Sequence, residues 1–460
     1  MSVPLDVINP YDQSLVCRVE FDEGDRLETK LASAHAAYNH WHQVPIEDRL
    51  ANVQIGLSRF REKSKSIARD VSQQMGKPIA QAQREVETVF ERANYMVSIA
   101  EKTLAPEVLP GLDGFERRIE HVPLGVVLNV AAWNYPLIIP VNVIVPALLA
   151  GNAVLLKHSA KTPLSGEAFA DAFGALEIPD LVTNLVLSHE ETARVIADSR
   201  VAHVSFTGSV EGGASVYHEA AKRFIDAGLE LGGKDPAYVA EDADVAFAAA
   251  STVDGACYNA GQCCCAVERV YVHRCHLQEY LERAQEALEA YRMGDPLDED
   301  TTLGPLASRE AVEVLERQVA EAIRAGGRLL TGGTRVTGQV GNFFRPTLLS
   351  DVPNETLVMQ EESFGPIVPV LGVENDEEAL LRMRETRFGL TASVWTADRD
   401  RAERFSQSLD TGTVFQNRCD YADPALPWTG FGDSGKGSTL SRYGYYHLTR
   451  RKSFHFRTKI

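Results

Sequence analysis

Gly125-Val126-Val127-Leu128-Asn129-Val130-Ala131-Ala132-Trp133-Asn134-Tyr135-Pro136 is the stretch on which the fold turns. Its first half is a short, nearly continuous β-branched and apolar run, which reads as a strand buried on both faces. Turn residues follow, and then the apolar segment from Leu137 to Ala150. The same succession recurs at Ala153–Leu156, Asn184–Leu187 and His203–Phe206, each with turn residues and a helical pattern behind it. Strands alternating with helices predict a parallel sheet covered by helices, an α/β architecture that places ligands at the carboxyl ends of its strands. A second strand–helix series begins near Leu231-Gly232-Gly233-Lys234 and runs to about Gly435.

Upstream, apolar positions at helical spacing predict helices over Leu27–Trp41, Arg49–Gln74 and Ile79–Ala100. Phe115-Glu116-Arg117-Arg118-Ile119-Glu120-His121 alternates like an exposed strand, and so does the tail Lys452-Ser453-Phe454-His455-Phe456-Arg457. Two such strands, remote in sequence, predict a small arm for subunit contact.

With 460 residues and no biased tract, the chain is long enough for several domains, each with its own core. Its net charge of −18, from 46 basic and 64 acidic side chains, argues against nucleic acid as a partner, since binding that backbone needs clustered cations. The start, from Met1 to Asp6, has no basic run leading into an apolar one, so no secretory leader is expected. Leu137 to Ala150 is short for a bilayer span and carries Pro140 and Pro146, so a buried helix beside a ligand is expected instead. The seven cysteines, Cys17, Cys257, Cys263, Cys264, Cys265, Cys275 and Cys419, make an odd set in a long chain. That predicts free thiols, a reducing compartment and a cytoplasmic enzyme.

Gly261-Gln262-Cys263-Cys264-Cys265-Ala266 is the first candidate for chemistry. Structural zinc sites space their ligands, so three adjacent cysteines are not expected to share one metal. Adjacent cysteines also rarely bridge each other. Two readings remain: small buried residues, or a nucleophile in a shaped turn. Glu230, ahead of a glycine turn, is either a lone surface charge or a general base. Asn134 is either a helix cap or an amide that donates to a developing oxyanion. Phe206-Thr207-Gly208-Ser209-Val210-Glu211-Gly212-Gly213 closes a strand and opens a helix, where glycines let backbone N–H groups approach a pyrophosphate. Lys157, after its strand, either holds a ribose or is solvated.

Taken together, these stretches resemble the aldehyde dehydrogenase superfamily over nearly the whole chain. The matching motifs are Trp133-Asn134-Tyr135-Pro136, Phe206-Thr207-Gly208-Ser209, Glu230-Leu231-Gly232-Gly233-Lys234, Gly261-Gln262-Cys263-Cys264 and Glu361-Glu362-Ser363-Phe364-Gly365-Pro366. The resemblance implies a Rossmann-type cofactor domain at 1–104 and 122–231, a catalytic domain at 232–435, and an oligomerisation arm at 105–121 and 446–460. It implies a homodimer or homotetramer with no membrane partner. It also implies that Cys264 is the nucleophile, Glu230 the general base and Asn134 the oxyanion donor. NAD or NADP would lie against Trp133, Lys157, Ala160, Gly208, Ser209, Gly213, Leu231, Glu362 and Phe364. Where the family often carries a glutamate on the adenosine ribose, this chain has Ala160, followed by Lys161. That favours NADP if Lys161 faces the ribose and is neutral if Lys161 faces solvent.

Tyr135, Tyr258, Tyr421 and Trp428 fall near the substrate tunnel, flanked by Cys263 and Cys265, and imply an apolar or aromatic aldehyde. Semialdehyde-specific relatives often carry an arginine where this chain has Asn142, which makes a carboxylated substrate less expected, although Arg418 lies near the tunnel mouth. The segment Pro427-Trp428-Thr429-Gly430-Phe431-Gly432 departs from the family's pattern, which leaves the subfamily open. Relatives that pass the acyl group to coenzyme A typically lack the base that Glu230 supplies. A non-catalytic member would have lost Cys264, Asn134 or Glu230.

Overall fold

The computed structural model describes residues 3–174, 176–338 and 340–460. Met1 and Ser2, on which part of the leader reading rests, lie outside these.

The strand Val126–Val130 is buried along its length and stands at the middle of a sheet. On one side come Ala153–Lys157 and then Val182–Leu185; on the other come Val201–Thr207 and Ala227–Glu230, all parallel. The chain thus winds outward in one direction and then returns to wind in the other. Ligands of such sheets bind where the strand order reverses, beyond the carboxyl ends. Here that point lies between Val130, which leads into Asn134, and Thr207, which leads into Ser209. Gly435–Lys436 adds an antiparallel edge beside Glu230, so a segment from late in the chain closes this sheet.

Asp235–Val239, Val267–His273, Ile367–Val373, Thr347–Ser350, Thr391–Trp395 and Thr413–Gln416 form the parallel part of a second sheet, and Arg328–Thr331 is its antiparallel edge. Its inner strands are almost wholly buried, as expected where helices cover both faces.

The helix expected over Arg49–Gln74 is two helices, Ile46–Glu62 and Ser64–Met75. Lys63 breaks it: its φ of −98° and ψ of 6° leave the α region, and its N–H bonds to Phe60 O instead of continuing the helical ladder. The break lets Ile67, Val71 and Met75 turn onto the core beside Val53, Leu57 and Phe60. Leu137 to Ala150 contains the helix Ile138–Leu149, buried nearly all round. No described helix is long and apolar enough to cross a membrane.

The two alternating segments meet. Phe115–Pro123 pairs antiparallel with Thr449–Arg457, from Phe115 opposite Arg457 to Pro123 opposite Thr449. Glu107–Val108 adds a short third strand. Phe115–Pro123 is half-buried rather than exposed, because Thr449–Arg457 and the residues around Tyr446 cover it.

Candidate active site

Leu231-Gly232-Gly233-Lys234 alone connects the last parallel strand of the first sheet to Asp235, where the second sheet begins. Glu230 therefore stands at the carboxyl end of one sheet, and Cys264 lies just before Val267, at a strand start of the other. The linker is packed so closely on the cysteine turn that a Cβ on Gly233 would come within 2.4 Å of the Cys264 carbonyl oxygen.

Cys264 is presented by an unusual run of backbone. Asn259, Ala260 and Gly261 all have positive φ (53°, 55° and 72°). Such residues persist only where the surroundings over-determine them. Here the buried Gln262 does so, accepting from Ala307 N–H at 2.8 Å and donating to Asn259 O at 3.1 Å. Ala266 N–H to Cys263 O, 3.2 Å, then closes a turn with Cys264 and Cys265 at its corner. Cys263 and Cys265 are buried, while Cys264 is half-exposed. Of the two readings of this run, the geometry is that of a shaped turn.

All seven cysteines are free. Adjacency in sequence does not separate the three thiols, because the turn folds their Sγ atoms to within 4.8 Å of one another, close enough for a shared metal ion. The spacing argument against such an ion therefore does not hold for this turn. Cys263 and Cys265 each donate to Asp420 Oδ1 at 3.1 Å. The Cys264 thiol is lowered to about 6 by the neighbouring Cys263 and then Cys265 thiols, against burial and the charges of Glu230 and Glu362. Cys263 itself is pushed up to about 11, so the acidic thiol is the one that opens outward.

Glu230 is held at both oxygens: Thr207 donates to Oε2 at 3.0 Å and Thr439 donates to Oε1. Burial raises its pKa, offset by the two hydroxyls and by Arg92, which moves a carboxyl toward the range useful to a base near neutral pH. Asn134 is 3% exposed and does not cap the following helix, whose N-cap is Leu137. Asn259 Nδ2 donates to the Asn134 carbonyl at 3.0 Å, which ties it to the cysteine turn, although Asn134 does not itself line the cavity in front of Cys264.

That cavity, of about 490 Å³, gathers Tyr135, Asn142, Tyr258, Cys263, Cys265, Tyr421 and Trp428 around Cys264 and Glu230. It also brings in residues that sequence reading missed. Glu85 and Arg92 line it from the helix Ile79–Leu104, where they share a buried stripe with Ala82, Val89, Met96 and Ala100. Charged residues at apolar helical positions are the signal that could have found them. Glu85 pairs with the buried Lys77, which lies 4.0 Å from the Tyr135 ring centroid.

The cofactor candidates form a second group. Ser209 caps the helix Val210–Ala221, accepting from Gly212 N–H at 3.1 Å, so that helix's N-terminus opens at the strand-order reversal. Gly213 packs against Leu231, whose Cδ2 lies 2.5 Å from where a Cβ would stand. Lys157 is buried, and burial lowers its pKa. Trp133 meets Phe364 edge to face at 5.5 Å, with Phe364 at φ +53°. Glu362 accepts from Gly233 N–H at 3.2 Å, and its carboxyl is pushed up to about 8 by burial and by Glu268. A Cβ on Gly232 would lie 2.5 Å from Glu362 Oε2, so a larger residue there would displace the Glu362 carboxylate. Lys161 is half-buried, its Nζ 5.8 Å from the Trp133 ring centroid, while Ala160 beside it in the chain is exposed. A helix N-terminus, buried cations, an aromatic pair and a carboxylate are the donor set that a dinucleotide requires.

A model of the aldehyde dehydrogenase family matches residues 2–454. A succinate-semialdehyde dehydrogenase [NADP(+)] from Deinococcus radiodurans is 36% identical over 452 residues, covering 98% of this chain and 94% of its own. Lactaldehyde dehydrogenase from Escherichia coli is 32% identical, covering 96% of this chain and 93% of its own. Among solved structures, succinic semialdehyde dehydrogenase from Streptococcus pyogenes in complex with NADP+ superposes with a TM-score of 0.94 at 29% identity, covering 98% of this chain and all of its own. A fold shared over its full length, with the motifs gathered in one cleft, leaves one conclusion: this chain is an enzyme and belongs to the aldehyde dehydrogenase family.

Proposed function

We propose that the chain oxidises a short aldehyde to its carboxylic acid with NADP+ or NAD+ through a covalent thioester on Cys264. The carrying observation is the single cavity in which an acidic, half-exposed thiol and a buried, doubly hydrogen-bonded carboxylate face the same space. An aldehyde carbon gives up hydride poorly until a nucleophile makes it tetrahedral. The Cys264 thiolate adds to that carbon, and the carbonyl electron pair moves to oxygen. The Cys264 N–H and the Asn134 amide are the donors assigned to this oxyanion, a role in which one donor is typically worth about 3–4 kcal/mol.

A bound nicotinamide dinucleotide supplies the acceptor for the hydride lost as the oxyanion collapses to a thioester. Glu362, Phe364 and Trp133 would hold its nicotinamide end, and Ser209, Gly213 and Lys157 its pyrophosphate and adenosine. Glu230 then takes a proton from water as that water attacks the thioester. The acid leaves, and Cys264 departs as thiolate. The names of the relatives, which span succinate semialdehyde and lactaldehyde, support a short substrate over the bulky aromatic one implied by Tyr135 and Trp428. We also assign the arm, with exposed Phe456 and Val108, to contact with a second copy of the chain.

The test is reduction of NAD+ and NADP+ by the purified protein, without coenzyme A, over short aldehydes. Turnover that disappears in Cys264→Ala is the expected result. Turnover that requires coenzyme A, or survives the substitution, overturns the reading.

A further inference from the structure

The cavity holds a cation that the mechanism leaves unused. Arg92 is 9% exposed, shares with Glu85 an otherwise apolar buried stripe of the helix Ile79–Leu104, and lines the space in front of Cys264. Among the described residues its guanidinium makes no ion pair or hydrogen bond, and its Nε is buried without a partner. The carboxylates nearby are committed elsewhere. Glu85 binds Lys77 and accepts from the N–H groups of Leu137 and Ile138, at 2.8 and 3.3 Å. Glu230 accepts from Thr207 and Thr439. Asn142, 5% exposed and on the same cavity, likewise has its Oδ1 unpartnered.

Burial lowers the pKa of Arg92, opposed at longer range by Glu230, Cys265, Glu85 and Tyr135. A guanidinium nevertheless keeps its proton in proteins, so a buried one calls for a counter-charge. The two other arginines at this cavity are exposed and engaged: Arg84 pairs with Glu91 at 2.9 Å, and Arg418 is stacked 3.5 Å over Tyr421.

We propose that Arg92 receives the anionic end of the substrate, and that the aldehyde this chain oxidises carries a carboxylate. The assignment rests on the reading of Cys264 as the nucleophile. A lone planar fork matches a carboxylate in bidentate fashion. The doubly charged phosphate of an aldehyde phosphate would need a second free cation, and Lys77, the other buried cation by Tyr135, is already bound to Glu85. Arg92 thus supplies the charge that Asn142 does not, from a different helix.

The experiment compares 4-oxobutanoate with butanal, which have the same chain length, and with glyceraldehyde 3-phosphate. The wild type is expected to favour 4-oxobutanoate over butanal by about 100-fold or more in kcat/KM. Arg92→Met is expected to bring that ratio to within about tenfold of unity, mainly through KM, and Arg92→Lys to keep part of it. Titration with NADPH establishes that each variant is folded. In the wild type, butyrate is expected to slow alkylation of Cys264 by iodoacetamide where butanol does not, which tests the site without any variant. An unchanged ratio in Arg92→Met, equal loss of kcat on both aldehydes, preference for the phosphate, or equal protection by butyrate and butanol overturns the role of Arg92. All of these leave the dehydrogenase reading standing. No oxidation of any aldehyde by the wild type overturns that reading itself.

Discussion

The turn that presents Cys264 and the corner from Lys157 to Lys161 both belong to the candidate site, but their residues are held very differently. Around Cys264 each group is fixed from several directions. Gln262 bonds to two segments, Cys263 and Cys265 share Asp420, Glu230 takes a hydroxyl on each oxygen, and Gly233 has no room for a methyl group. At the corner, Ala160 is exposed and the half-buried Lys161 side chain lies 5.8 Å from the Trp133 ring with no side-chain hydrogen bond among the described residues. Reacting atoms lose rate when displaced by an ångström, so that wall is over-determined, whereas the choice between two related cofactors rests on a few loosely held side chains.

Substitutions on the two sides should separate accordingly. The largest effect is expected from Glu230→Gln: a burst of about one equivalent of reduced cofactor, then a steady rate lower by about 10²- to 10³-fold. Stopped-flow absorbance reads both phases, and a burst lost in proportion to the steady rate would remove Glu230 from deacylation. Gly233→Ala comes next. Its Cβ meets the backbone oxygen of Cys264 at 2.4 Å and Asp235 Oδ1 at 2.8 Å, and the displaced turn is expected to cost about 100-fold in kcat. Full activity in that variant would show the wall to be softer than its packing indicates.

The third effect is one of pH. A thiol lowered to about 6 reacts as thiolate, so alkylation of Cys264 by iodoacetamide should rise with pH through about 6 and be nearly level by neutral pH. An ordinary thiol is only a few per cent ionised, roughly, at pH 7. A midpoint near that of free cysteine would mean that the flanking thiols do not activate the nucleophile. The smallest effect belongs to the corner: Ala160→Glu, beside Lys157, is expected to lower the preference for NADP+ over NAD+ by about tenfold, or ~1.4 kcal/mol. An unchanged ratio of the two kcat/KM values would move the selectivity to Lys161 and Trp133.

Part of this arrangement is legible in the amino-acid sequence. Val126–Val130, the Ser209 cap and the pairing of Cys264 with Glu230 as reactive groups depend on local sequence or on motifs that keep their spacing. The break at Lys63 is not legible, because no glycine or proline marks it and the apolar positions resume at Ile67, seven residues after Phe60. Arg92 and Glu85 escape notice because a charged side chain on a helix is ordinarily solvated, and their place at apolar helical positions does not by itself say what covers that face. Lys161 has two possible directions in the sequence because its side chain is long enough for either.

What the sequence determined by itself was the alternation of strands and helices, the family, and the motifs that single out Cys264 and Glu230 as candidates, since each is written in contiguous residues. Only the tertiary structure decided that three neighbouring thiols converge with Asp420, that Lys161 turns to Trp133, and that Arg92 is buried without a partner beside Cys264. These are contacts between segments far apart in the chain, and their energies depend on burial and on which opposite charges are already taken.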